Sequence, residues 1–376
     1  MQGNLHINTA TDSVGNTFVI NETQDANTFA ICYRFFCYDK NGTKKWQYDN
    51  DTSATNYSRY TLVIPTNDGG AIFLGANMKR IDVNGQLVWK ASFALPDTCS
   101  PLAVKLDKQH ALIVALNYYS SPSMIEDFAI AKYEINNGTN SWYTILTDAS
   151  TVSGELLTDE IIDIEVDSDD AIYALGLSGN TFITTFHQRL FKVHTNGMLL
   201  WNTLISANTL QDVFTDLCVD NRKNIHVCGT QNGQKAQIVS LKSDGSLLHS
   251  FLFQKDSART KGFAILSDSV DNIFALASYR YWIPDSSFAG GQFTKYNYVI
   301  CKLDSVFAQQ WLSPFLVSPL SMQYGYGYPV GFVQQKANTY IASVGMLNAQ
   351  HENDQFIENK IDKNGNQLWY QSSPNF

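Results

Sequence analysis

Histidines, cysteines and clustered carboxylates are the residues of this chain able to carry chemistry, and their spacing argues for little of it. The seven histidines are His6, His110, His187, His194, His226, His249 and His351. They are scattered, and no HxxxH pair or His/carboxylate cluster offers the convergent ligand set that a zinc site needs. They read as hydrogen-bonded structural side chains. The run Asp167-Ser168-Asp169-Asp170 has oxygen ligands of the kind calcium takes. It lies between two alternating apolar segments, however, where short carboxylates close tight turns on their own backbone, and turn chemistry is the reading. There is no Gly-x-Ser-x-Gly elbow and no phosphate-binding loop. The six cysteines, Cys32, Cys37, Cys99, Cys218, Cys228 and Cys301, form no CxxC and read as small buried hydrophobes. Cys218 and Cys228 fall on neighbouring strands, which leaves a cross-strand disulfide open. No catalytic residue, metal ligand or cofactor is expected.

The elements that would position any such residue come from a motif that returns along the whole chain. Its clearest copies are Asp39-Lys40-Asn41-Gly42…Trp46, Asp82-Val83-Asn84-Gly85…Trp89 and Asp362-Lys363-Asn364-Gly365…Trp369. Weaker copies are Asn137-Gly138…Trp142, Asn196-Gly197…Trp201, Asp244-Gly245…His249 and Asp304…Phe307…Trp311. The spacing of roughly 43 to 62 residues is that of a repeat architecture. Each unit holds four apolar runs. In the fourth these are Asp163–Asp167, Ala171–Gly176, Leu190–His194 and Met198–Asn202. Asn-Gly steps and Asp-bearing turns separate them, as hairpins require. No amphipathic helix pattern is present.

Seven units of four antiparallel strands predict an all-β, seven-bladed β-propeller, in which cores form between neighbouring blades. One domain is expected over 1–376, with blades near 4–49, 57–93, 101–146, 159–205, 213–253, 261–312 and 329–372. The chain starts in a first strand and ends in a fourth, so no strand is expected to be exchanged between the termini. The Trp of each unit is expected on the outermost strand, sealing a seam between blades, with a gain of about 2–3 kcal/mol if fully buried. His249 and Phe307 replace a Trp and a Gly, so the region of blades 5 and 6 is expected to be the least regular.

The net charge of −9 and pI near 5.2 argue against a nucleic-acid role, which normally needs a basic stripe. No apolar run approaches the length of a membrane span. The first residues are expected to lead straight into a strand, with no signal peptide in the sequence as given. The chain is therefore expected to be intracellular or virion-associated, or extracellular or surface-bound if a leader was removed.

The pattern x-Asp-x-x-Gly-x-x-x-Trp, with a preceding strand opened by Asp12-Ser13-Val14-Gly15-Asn16, resembles the bacterial seven-bladed β-propeller repeat family. It is also similar to the repeats of quinoprotein-type propellers. The resemblance covers essentially the whole chain, although the turn Asp is lost at Ile135, His194 and Lys242. It implies a binding or surface scaffold more than an activity. A quinoprotein dehydrogenase would bring a calcium site, a catalytic carboxylate and a vicinal disulfide, and this chain has no adjacent cysteines.

Function on a repeat scaffold sits where the repeat is broken. Length variation concentrates in the second-to-third-strand connections, at 117–128, 177–188 and 278–297, and in the inter-blade connections, at 49–60, 146–160 and 313–330. Two of these are aromatic. One carries Tyr279, Tyr281, Trp282 and Tyr296; the other carries Tyr324, Tyr326 and Tyr328. Tyr and Trp give rigid amphipathic contact area at low entropic cost, and these seven are the expected binding residues. The competing reading is that they pack on one another to order long loops. A non-enzymatic propeller that binds a protein partner through this face is expected. A carbohydrate-binding module is the alternative, and a hydrolase or lyase with its site in the central funnel is a more remote one.

Overall fold

The computed structural model describes residues 7–24, 31–49, 60–95, 98–120, 125–146, 157–180, 185–207, 213–253, 259–285, 291–314, 326–335, 339–347 and 355–373. All 28 elements are strands. Blade 1 is β1 (Ile7–Thr11), β2 (Thr17–Gln24), β3 (Ile31–Tyr38) and β4 (Lys44–Asp49). Blade 2 is β5 (Leu62–Pro65), β6 (Ala71–Leu74), β7 (Met78–Ile81) and β8 (Leu87–Ala91). Blade 3 is β9 (Thr98–Leu106), β10 (Leu112–Ser120), β11 (Ile125–Tyr133) and β12 (Asn140–Leu146). Blade 4 is β13 (Leu157–Val166), β14 (Ile172–Asn180), β15 (Thr185–Val193) and β16 (Leu199–Ala207). Blade 5 is β17 (Val213–Val219), β18 (Ile225–Gln231), β19 (Lys235–Leu241) and β20 (Leu247–Phe253). Blade 6 is β21 (Arg259–Ser267), β22 (Ile273–Asp285), β23 (Gly291–Leu303) and β24 (Gln309–Pro314). Blade 7 is β25 (Tyr326–Gln335), β26 (Thr339–Leu347), β27 (Gln355–Ile361) and β28 (Gln367–Ser373).

Strands pair in chain order within every blade, so the first and last blades are each built from consecutive strands. This is the seven-bladed β-propeller that the repeat predicts. One parallel bridge, Glu126↔Thr158, links β11 to β13. By compactness the chain divides into two units, Met1–Thr181 with Phe191–Leu200, and Phe182–Leu190 with Trp201–Phe376.

In the first unit the core lies between blades. Phe35 stacks on Phe73 at 4.1 Å, and both rings are fully buried. Phe128 meets Phe191 edge-on at 5.3 Å, and a Cβ at Gly176 would lie 3.0 Å from both rings. In the second unit Phe274 stacks on Tyr340 at 4.0 Å. Second and third strands supply these rings equally, and second strands have both faces covered. In β6 all four residues are buried, and in β18 all but the last. A bulge recurs in first strands, between Ala115 and Leu116 in the β10–β9 pairing, Ile161 and Asp163, Phe214 and Asp216, and Gly262 and Ala264. Bulges sharpen local twist, and no residue pattern in the sequence announced them.

The turn chemistry follows the sequence closely. Asp12 accepts N–H bonds from Val14 and Asn16, and Asp39 from Asn41 and Thr43. The fourth turn residue has positive φ, as at Gly15, Gly85 and Gly365. In blade 3 the turn runs from Glu134 to Thr139, one residue longer than its relatives, so Glu134 opens it, one position before the predicted Ile135.

The seam tryptophans sit as predicted, with a geometric reason. A Cβ on Gly85 would lie 2.8 Å from Trp46, on Gly138 2.9 Å from Trp89, on Gly197 2.8 Å from Trp142 and on Gly365 2.9 Å from Trp311. Each indole therefore lies flat on the turn glycine of the next blade, and glycine is needed there for contact as well as for φ. Trp89, Trp142, Trp201 and Trp311 also donate Nε1–H to turn carbonyls of Ile135, Thr195, Ser243 and Lys363. Most of these rings are only part-buried, Trp46 at 7% exposed being the most enclosed, so full burial energy applies to Trp46 alone.

The long connections are shorter than the sequence implied. The expected loop 117–128 is paired through Ser120↔Ile125, and the expected loop 278–297 is paired through Asp285↔Gly291. Aromatic residues such as Tyr118, Tyr119, Tyr281 and Trp282 suit the ladder and continue it. Cys218 faces His226 across the ladder and Cys228 faces Asp216, so the two thiols are not opposite each other. All six cysteines are outside disulfides. Cys37, Cys218, Cys228 and Cys301 are buried, whereas Cys32 and Cys99 are half-buried.

Candidate functional site

The chemistry-bearing residues fall mostly into turns. Asp167 accepts from the N–H of Asp169 (2.7 Å) and Ala171 (3.0 Å) and from the Tyr173 hydroxyl (3.1 Å). Asp170 accepts from the Lys108 N–H at 2.8 Å. These carboxylates are occupied by the protein itself. Among the described residues no group of three or more His, Cys, Asp or Glu side chains is arranged to hold a metal. His194 caps its own turn, 2.9 Å from Asn196, and His6 and His351 lie outside the described residues.

One constellation has the residue types of a hydrolytic triad. Nδ1 of His226 is 2.6 Å from Oγ of Ser240, and its Nε2 is 3.3 Å from Oδ2 of Asp220. Its order excludes the reaction. Ser240 is fully buried behind the imidazole and cannot reach a carbonyl, which a nucleophile must do. Asp220 is the turn aspartate of blade 5, bonded by the N–H (2.7 Å) and side-chain amide (2.8 Å) of Asn224. Burial pushes its carboxyl up, but the His226 imidazole and the Asn224 donors outweigh that and hold it below the ordinary value. The sequence signal was present and unread. Tyr173 and His226 each stand six residues after a turn Asp, with the side chain returning to it.

The expected binding residues meet mixed placements. Tyr279 is only 7% exposed and packs with Ala236, Phe253, Ala277 and Val299, so it has little surface to offer a partner. Burial pushes its hydroxyl up. Tyr281 and Trp282 lie on β22, Tyr296 on β23, and Tyr326 and Tyr328 on β25; Tyr324 lies outside the described residues. The local geometry is a ribbon where a loop was expected. β21 pairs with β22 no further than Arg259↔Arg280, and β24 reaches β23 no further than Val299↔Pro314. Beyond Arg280↔Tyr296, β22 and β23 continue from Tyr281↔Lys295 to Asp285↔Gly291, and among the described residues no third strand joins them. Five such pairs project about 17 Å from the blade. Both strands are 13 residues long, against 7 in the corresponding pair of blade 5.

A seven-bladed propeller of four-stranded antiparallel blades is the class that the fold defines. The β-propeller domain of the trilobed protease from Pyrococcus furiosus, described as having an open velcro topology, is similar over 100% of this chain and 96% of its own, at 7% identity and a TM-score of 0.54. The Dos1 propeller is similar over 89% and 88%, at 10% identity and a TM-score of 0.46. An α-L-arabinanase from Penicillium chrysogenum, complexed with arabinobiose, is similar over 75% and 94%, at 10% identity and a TM-score of 0.43. At these identities the likeness is one of fold. No family model and no curated protein sequence matches the chain. No helix among the described residues is long and apolar enough to cross a membrane.

Proposed function

We propose that this protein is a non-enzymatic binding propeller that engages a protein partner through the projecting hairpin of blade 6 and the neighbouring start of blade 7. The repeat pattern supports placing it with the bacterial seven-bladed propeller repeats. The observation that carries the reading is the ribbon 281–285 and 291–295, which among the described residues extends past both flanking strands. Two-stranded ribbons are marginal alone, and their free edges are templates for pairing with another chain. A partner strand added to such an edge gains main-chain hydrogen bonds, with side-chain anchors setting specificity. The residues assigned to contact are Tyr281, Trp282, Tyr296, Tyr324, Tyr326 and Tyr328, with Tyr279 left to the core.

The test compares wild type with Trp282→Ala/Tyr326→Ala, and with a variant whose 282–294 segment is replaced by an Asn-Gly turn, as baits in the native source. Loss of one specific protein from both variants, with melting temperature unchanged, supports the reading. Retention of that protein by the shortened hairpin, or recovery of glycans by wild type in place of a protein, refutes it.

A further inference from the structure

The step Asn-Gly occurs six times, at Asn41-Gly42, Asn84-Gly85, Asn137-Gly138, Asn196-Gly197, Asn232-Gly233 and Asn364-Gly365. It is the step most open to loss of the side-chain amide, because glycine has no Cβ to hinder its own nitrogen. The glycine main-chain nitrogen attacks Cγ of Asn and gives up its proton. A bond forms between them, and Cγ releases Nδ2 as ammonia. Water then opens the five-membered imide at either carbonyl. The products are Asp and isoaspartate, in which the main chain runs through Cγ. Water is consumed, ammonia is released, and no other reactant is needed.

The dipeptide is the same at all six places, so the fold decides which one reacts. The nitrogen has to leave any carbonyl it is bonded to, and the main chain has to rotate to bring it onto Cγ. Five of the steps close turns between third and fourth strands, and each donates its glycine N–H to the carbonyl at the head of the turn. Gly42 donates to Asp39 (2.9 Å), Gly85 to Asp82 (3.1 Å), Gly138 to Glu134 (2.8 Å), Gly197 to His194 (2.8 Å) and Gly365 to Asp362 (3.1 Å). Gly85, Gly138, Gly197 and Gly365 also have indole atoms within 2.9 Å of a Cβ position, which blocks the rotation. Oδ1 of Asn137 and of Asn196 is held in addition by the N–H of Thr139 (2.9 Å) and of Met198 (3.1 Å).

Asn232-Gly233 has none of these restraints. It lies in the connection between β18 and β19, away from the turns on which the seam tryptophans sit. The connection is closed by the Gln234 N–H on the Gln231 carbonyl at 3.0 Å, and the Gly233 N–H makes no hydrogen bond among the described residues. Asn232 is exposed. We propose that Asn232 is a site of spontaneous deamidation, converted to Asp and isoaspartate while the five turn asparagines are protected. The product carries a carboxylate in place of a neutral amide, and isoaspartate adds a methylene to the main chain. The change falls two residues before Gln234, whose carbonyl accepts the N–H of Thr260 at 2.7 Å. It therefore loosens the tie between the blade 5 hairpin and the first strand of blade 6, and it is independent of the partner-binding reading.

Ageing the folded protein in mildly alkaline buffer, beside the same chain in urea, tests this. Proteolysis and mass spectrometry follow the mass gain of amide-to-acid conversion at each of the six sites. In urea the six rates are expected to be closely similar. In the folded protein Asn232 is expected to react about tenfold faster than Asn41, the difference that one turn hydrogen bond makes, and the four indole-covered steps are expected to be slower still. Amide exchange at Thr260 is expected to speed up in aged wild type and to stay unchanged in aged Asn232→Gly, which suits a positive φ and has no amide to lose. Equal rates at Asn232 and Asn41 in the folded protein, a lead for Asn232 that persists undiminished in urea, or unchanged Thr260 exchange after conversion would overturn the proposal.

Discussion

Replacing Gly85 by Ala probes what the seam geometry asserts most sharply. Gly85 has φ +82°, and a Cβ there would lie 2.8 Å from Cβ and 2.9 Å from Cγ of Trp46. Two costs add. Forcing an L-residue into the left-handed region costs about 1–2 kcal/mol, and overpacking against a ring that is 7% exposed costs about 1–3 kcal/mol more. Gly42 is the control. It occupies the same turn position with φ +80°, and a Cβ there meets nothing within 4 Å. Gly42→Ala is therefore expected to lose about 1–2 kcal/mol, and Gly85→Ala about 2–5 kcal/mol. Urea unfolding followed by tryptophan fluorescence measures both, read as midpoint shifts at constant slope. Trp46→Ala in the Gly85→Ala background should recover the steric part and leave the backbone part. Equal losses at Gly42 and Gly85 would refute the claim that the indole seat dictates glycine.

The buried pair of Lys132 and Asp107, 2.7 Å apart and 12% and 1% exposed, predicts that Asp107→Asn destabilises by about 3–5 kcal/mol, because an uncompensated ammonium stays behind. Adding Lys132→Met should recover most of that loss, and thermal unfolding followed by circular dichroism decides. Asp12 and Asp220 have carboxyls held below the ordinary value, because bonds from neighbouring donors outweigh the upward push of burial. Their contribution is complete above the unfolded value of about 4 and is lost as pH falls through the lower folded value. Melting temperature should therefore be level from about pH 7 to 5 and drop below about pH 4, with a shallower drop in Asp220→Asn.

Local chemistry made most of the fold legible. Most turns open on an Asp whose carboxylate caps the backbone, and all carry a positive-φ residue near their end, and these preferences write themselves into sequence where the chain reverses. Strand length was less legible. Asn117-Tyr118-Tyr119-Ser120 and Tyr279-Arg280-Tyr281-Trp282 carry neither Gly nor Pro, and read alone they are equally an aromatic loop or a ladder. Only the partner strand decides, and pairing is a property of two segments. The same holds at the seam between blades 5 and 6. His249 and Phe307 were each visible as departures from the repeat, but the stack of the Phe307 ring on His249 at 5.0 Å is a contact between blades. The buried His226 was visible as one histidine among seven. Its partners lie on a turn and on the next strand, at a spacing that gains meaning once strand order is known.

Blade 6 concentrates these departures at both of its ends. A repeat scaffold supplies its own reference state, because each seam and each hairpin can be compared with its siblings in the same chain. Against that reference, the positive φ of Phe307 is a cost that the glycines of the sibling turns avoid, and among the described residues the five unflanked pairs of the blade 6 hairpin exceed the three of blade 1. The regular solution to each is present elsewhere in the molecule: a Trp on a Gly at the seam, and a hairpin ending level with its flanking strands. A chain that encodes the cheaper arrangement repeatedly and departs from it at two ends of one blade retains both departures against stability. Such sites trade stability for use. The two ends are separable by experiment, since His249→Trp/Phe307→Gly rebuilds the regular seam and leaves the hairpin intact, and shortening the hairpin leaves the seam intact.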